Sequence, residues 1–96
     1  MERRDKPRIY VPFIAKVRGR DAKGQVFKAD MVTQNISSSG MYLRLTQQVK
    51  EGTKLLVLIL LRPAGRIAIR GDVVRVEPGR DGGFGVAMHI TQHRFL

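Results

Sequence analysis

Two stretches of this sequence hold side chains that could grip an anion or a planar base. The first is MERRDKPR, residues 1–8, where Arg3, Arg4, Lys6 and Arg8 crowd together. Arg4 and Arg8 stand in an RxxxR spacing. Extended backbone would part their Cα atoms by roughly 13 Å, and a turn could bring both guanidinium forks onto one ligand. Each fork can hold a phosphate or carboxylate through two parallel hydrogen bonds. Arginine also donates to the O6/N7 edge of guanine. The second stretch is NISSSG, residues 35–40. The Asn35 amide both donates and accepts, and Ser37 offers a short hydroxyl. Gly40 can take a backbone angle closed to other residues, or admit a close ligand. Successive amides in such a turn can form an anion nest. The same residues also suit a plain Asx or Ser turn between two strands.

Other chemistries find little support. The chain has no cysteine, which removes disulfides, thiolates and cysteine-ligated zinc. His89 and His93 have no neighbouring carboxylate and make a poor metal pair. Asp5, Asp30, Asp72 and Asp81 show no paired-acid spacing tied to a base. Ser37–Ser39 lack the G-x-S-x-G elbow, and no Walker A or Rossmann glycine pattern occurs. The reading is a non-enzyme with no cofactor. The formal net charge is +10, from 18 Lys and Arg against 8 Asp and Glu, so anionic partners are favoured. Those charges are scattered from Arg3 to Arg94, unlike a dedicated nucleic-acid stripe. The longest apolar run, Leu55 to Leu61, is far short of the roughly 20 residues of a membrane-spanning helix. No signal-peptide pattern opens the chain, and the expected location is cytoplasmic.

The elements that must position these residues read as strands. IYVPFIAKVRG is rich in strand formers, with Pro12 suiting an edge or a strand start. RDAKG, residues 20–24, is a hairpin turn. QVFKADMVTQ follows, and its imperfect alternation permits a bulge. After NISSSG, MYLRL alternates cleanly: Met41, Leu43 and Leu45 share one face, Tyr42 and Arg44 the other. TQQVKEG is a loop with room for one helical turn, and Leu55 to Leu61 forms a central strand. RIAIRGDVVRVE carries Gly71 where a curling sheet would bend. PGRDGG turns the chain into a last strand, FGVAMHI, leaving only TQHRFL. About six strands with no convincing helix predict an all-β protein. A small antiparallel barrel removes the exposed edges that an open sheet would leave.

RDKPR, then NISSSG before an alternating strand, resembles the PilZ domain family. That family's pattern is RxxxR in the N-terminal segment and (D/N)xSxxG after the second strand. Arg4 and Arg8 match the first; Asn35, Ser37 and Gly40 match the second. GDVVRVEPGRDGGFGVAMHI resembles the family's closing hairpin. The resemblance implies a six-stranded antiparallel barrel, residues 9–96, with a flexible basic ligand-clamping tail, residues 1–8. It implies a bacterial receptor for cyclic di-GMP, a second messenger tied to motility, pili and polysaccharide synthesis. The arginines would clamp phosphate and guanine, and Asn35, Ser37 and Gly40 would hold guanine from the barrel side. Arg3, just before the motif, leans toward binding a stacked pair of ligands.

Ordering the tail on the ligand would change the protein's surface and so reach an unidentified downstream protein. A second subunit could cover part of the central strand's outer face, giving a homodimer. The competing reading is a small-barrel RNA- or DNA-binding module. Net charge supports it, but the six aromatic residues sit mostly in core-like runs rather than as stacking platforms.

Overall fold

The computed structural model describes residues 13–33, 35–61, 63 and 65–96. They form one antiparallel sheet of seven strands: β1 Phe13–Arg20, β2 Val26–Thr33, β3 Asn35–Ile36, β4 Gly40–Leu45, β5 Lys54–Leu61, β6 Gly65–Pro78 and β7 Phe84–Phe95. The spatial order is β2-β1-β5-β6-β7-β4-β3. The strand beyond the expected six is β3, two residues paired with β4 through Asn35–Tyr42 and Ile36–Met41. The barrel takes the form of a strongly curled sheet. Its edges come together through Thr33, which is buried at 1% exposure and donates its hydroxyl to the Tyr42 carbonyl at 3.1 Å. A hydroxyl so deeply buried must find an acceptor, and β4 supplies one.

Alternation sets the core. Met41, Leu43 and Leu45 point inward from β4, as do Leu55, Val57 and Ile59 from β5. They meet Val17 of β1, Ile69 and Val73 of β6, and Val86 and Met88 of β7. In β2 the buried set is Phe27 and Thr33, so Val26, Lys28, Asp30 and Val32 face outward together. β2 pairs with β1 in unbroken register, and the bulge its alternation had permitted is absent. The irregularities sit in the β6–β7 pair. One leaves Thr91 extra on β7, where Gly71 pairs with Ile90 and Arg70 with Gln92. The other leaves Val74 extra on β6, where Val73 pairs with Met88 and Arg75 with Ala87.

β7 runs five residues past the expected strand, because TQHRF continues to pair with β6. The segment between β4 and β5 forms no helical turn; the Gln48 carbonyl accepts from the Ala22 amide at 2.7 Å and holds the loop to the first hairpin. That hairpin turn is built as its residues predict. Asp21 Oδ1 accepts from the Lys23 and Gln25 amides, both at 2.9 Å, and Gly24 supplies a φ of 83°. No described helix is long and apolar enough to cross a membrane.

Candidate functional site

Asn35, Ser37 and Gly40 lie on one hairpin. β3 runs into β4 through Ser37–Ser39, and the Ser37 amide donates to the Gly40 carbonyl at 2.8 Å. The Ser37 hydroxyl oxygen lies 3.4 Å from the Ser39 amide and 3.3 Å from the Gly40 amide, accepting from both. It therefore collects the two amides that an anion nest would have turned outward. Locally the stretch is a Ser turn. The turn is pinned to the sheet by the Ile90 amide, which donates to the Ser39 carbonyl at 2.8 Å.

Gly40 serves by its lack of a side chain rather than by its backbone angle. The glycines with positive φ are Gly24, Gly52, Gly65 and Gly82. A Cβ on Gly40 would instead sit 3.1 Å from the Met88 carbonyl, tight against β7. The glycine lets the turn lie close on the neighbouring strand.

Register extends the site across the sheet. Asn35 pairs with Tyr42, Tyr42 with Ala87, and Ala87 with Arg75. These four make one transverse row on the outer face of β3, β4, β7 and β6, about 14 Å long at the usual strand spacing. A hollow of about 210 Å³ runs along it, lined also by Ser37 and Ser39. Ala87 makes its low point. Beside it Gly85 lies directly beneath the Tyr42 hydroxyl, so the ring leans down over the backbone instead of standing in the hollow.

Arg75 reaches this row because of the bulge at Val74. Were the register unbroken, Val74 would pair with Ala87 and Arg75 with Val86, which is fully buried and faces inward. A one-residue shift in a strand exchanges its faces, and here it moves a cation from the core to the rim. Its Nε lies 3.1 Å from Glu77 Oε1, and both side chains are largely exposed. Such a pair is worth about 0–1 kcal/mol, so Arg75 can exchange partners cheaply. Tyr42, Ala87 and Arg75 were not among the residues that the motifs single out. For Arg75's facing alone a signal was present in DVVRV, where two adjacent valines break an otherwise alternating strand.

Arg3, Arg4 and Arg8 lie outside the described residues, as does Pro12. Among the described residues no three His, Asp or Glu side chains gather to hold a metal ion. His89 is exposed on the outer face beside Gly40, and His93 lines an apolar hollow with Ile69 and Phe95.

A curled antiparallel sheet with a polar hairpin and a shallow hollow edged by Arg75 on its outer face defines a small all-β domain. The PilZ domain family model matches residues 2–94, spanning both the RxxxR segment and the NISSSG turn, and the chain belongs to that family. Two solved structures are similar in fold. The Bacillus subtilis inhibitor of motility MotI/DgrA superposes with a TM-score of 0.70 at 15% identity, covering 96% of this chain and 44% of that one. The K. pneumonia MrkH–cyclic di-GMP complex superposes with a TM-score of 0.63 at 20% identity, covering 96% of this chain and 46% of that one. This chain thus spans less than half the length of either protein. No curated protein matches the chain significantly by sequence.

Proposed function

We propose that this PilZ domain is a cyclic di-GMP receptor whose site has two walls. The carrying observation is the row Asn35–Tyr42–Ala87–Arg75 beside the Ser37 turn. Membership of the PilZ family and the cyclic di-GMP bound by MrkH support the reading. The described wall suits a purine: an amide and hydroxyls for a base edge, an aromatic ring, a small residue where a plane can rest, and an arginine for a phosphate or guanine O6/N7. At about 210 Å³ it is shallower than the roughly 300–1,000 Å³ of pockets that enclose a ligand. The other wall is assigned to the arginine segment. Arg4 and Arg8 close over the ligand and hold phosphate and guanine, with Arg3 adding a further positive group. Ordering that segment presents a changed surface to a downstream protein.

Calorimetric titration with cyclic di-GMP, set beside GTP, cyclic AMP and a short RNA at one physiological salt concentration, tests the proposal. Saturable binding of cyclic di-GMP alone is expected. Tighter binding of the RNA, with a steep salt dependence, would replace the receptor reading with the nucleic-acid one.

A further inference from the structure

The other half of the outer face has a different construction. β1, β5 and β6 are adjacent, and their outward residues fall in register. Leu56 lies between Arg18 of β1 and Arg70 of β6. Leu58 lies between Lys16 and Ala68, and Leu60 between Ile14 and Arg66. The three leucines are only half-buried, although they lie on the outside of the sheet. A groove of about 1030 Å³ passes Arg18, Leu56 and Arg70. A second of about 340 Å³ adjoins it over β5, β1 and β2, passing Leu56, Leu58 and Lys16 toward Lys28 and Asp30. The acids nearby are already engaged: Asp30 pairs with Lys16 at 3.4 Å and Asp72 with Lys54 at 3.1 Å. No described carboxylate lies within ion-pair distance of Arg18, Arg66 or Arg70.

We infer that this trough docks an acidic amphipathic helix of a partner protein. The dimensions agree. The leucine stripe from Leu56 to Leu60 is about 13 Å long, close to the rise of two helical turns carrying apolar residues at i, i+3/4 and i+7. β1 and β6 are two strand spacings apart, about 10 Å, which is the width of a helix with its side chains. A helix laid along β5 places its apolar stripe on the leucines and carboxylates on its flanks beside Arg18 and Lys16 on one side and Arg70 and Arg66 on the other. That is an apolar centre with a complementary charged rim.

Other occupants fit less well. A second copy laid face to face would set like charges against each other. Single-stranded nucleic acid gains much of its affinity from stacking, and the outward residues of these three strands include no aromatic. A bilayer needs protruding apolar side chains; these leucines are half-buried, and four of their six flanking residues are basic, with only Ile14 standing out beside Leu60.

The test is chemical-shift mapping and titration of the full chain with a designed acidic peptide of about 18 residues. Leucines at i, i+3, i+4 and i+7 form its one apolar face, flanked by glutamates. A scrambled peptide of the same composition serves as control. Binding of the patterned peptide, with shifts confined to β1, β5 and β6, is expected. R18E/R70E should weaken it about tenfold or more and L58Q severalfold, while cyclic di-GMP binding and the thermal midpoint stay unchanged. Equal affinity for the scrambled peptide overturns the inference, since net charge would then explain both. So does tighter binding of a charge-matched oligonucleotide or of anionic phosphatidylserine vesicles at the same salt concentration. Shifts centred on Asn35 and Tyr42 would overturn it as well.

Discussion

The two halves of the outer face are built on the same sheet from opposite materials. Across β3, β4, β7 and β6 the residues near the backbone are small: Gly40, Gly85 and Ala87, with an amide, hydroxyls and one arginine at the rim. Across β1, β5 and β6 most are large: a leucine stripe flanked by Arg18, Lys16, Arg70 and Arg66, with Ile14 and Ala68 between them. Small residues expose strand backbone and leave a hollow matched to a flat polar ligand. Leucines offer apolar area without direction, which suits an extended partner whose own charges fix its position. β6 takes part in both, and the extra Val74 lies between its two sections.

The largest expected effect comes from breaking the shared frame. Gly71 faces the His89 carbonyl and Met88, and a Cβ there would overlap the β7 backbone. Backbone cannot give way as a flexible side chain can. Gly71→Val should cost about 3 kcal/mol of stability, read by urea denaturation, with both faces losing their binding together. A loss confined to one face would show that the halves fold more independently than one core allows.

Next come substitutions that separate the walls of the proposed ligand site. Arg4→Ala or Arg8→Ala should each cost about 1.5–3 kcal/mol of cyclic di-GMP binding, roughly 10- to 150-fold. Arg75→Ala should cost about 1.5 kcal/mol, near tenfold. None of these should shift the thermal midpoint or the affinity for the acidic peptide. Arg80→Ala removes one charge from the turn between β6 and β7 and serves as the control. An equal loss there would mean that the ligand follows net charge alone.

A smaller effect distinguishes shape from charge. In Gly85→Ala the new methyl meets the far end of the Tyr42 side chain, which can lift away. Stability should stay within about 1 kcal/mol. The lifted ring would stand over Ala87, and cyclic di-GMP affinity should fall about fivefold. Unchanged affinity would remove Tyr42 and Ala87 from the site.

The smallest effect is a pH dependence at the β6–β7 turn. The Gly83 amide, then Asp81's own backbone amide and Arg44, hold the Asp81 carboxyl below its ordinary value of 3.8. A carboxylate with a depressed folded pKa stabilises the fold fully above its unfolded pKa. That contribution disappears as pH falls through the folded value. The wild-type advantage over Asp81→Asn in thermal midpoint should therefore be small at neutral pH and vanish in the acid range below about pH 4. An advantage that grew with acid would contradict the sign. Neither face's ligand should respond to this change.

Local chemistry determined much of this protein from sequence alone. The alternation in MYLRL placed Leu43 inside and Tyr42 outside, because strand side chains have a period of two whatever their neighbours do. RDAKG made the turn that its aspartate and glycine demand. NISSSG declared a polar hairpin, since three serines and a glycine offer the backbone local partners. What the sequence left open depends on register between distant strands. Nothing local to Tyr42 or Arg75 shows that Ala87 brings them into one row with Asn35. Nothing in LLVLILL shows that Arg18 and Arg70 flank Leu56. Nor does NISSSG reveal that Gly40 is required by the Met88 carbonyl rather than by its own φ. Those relations arise only when the sheet curls and bulges shift its register. A shift of one residue in β6 decides whether Arg75 faces the core or the site, and that choice is made by pairing across strands.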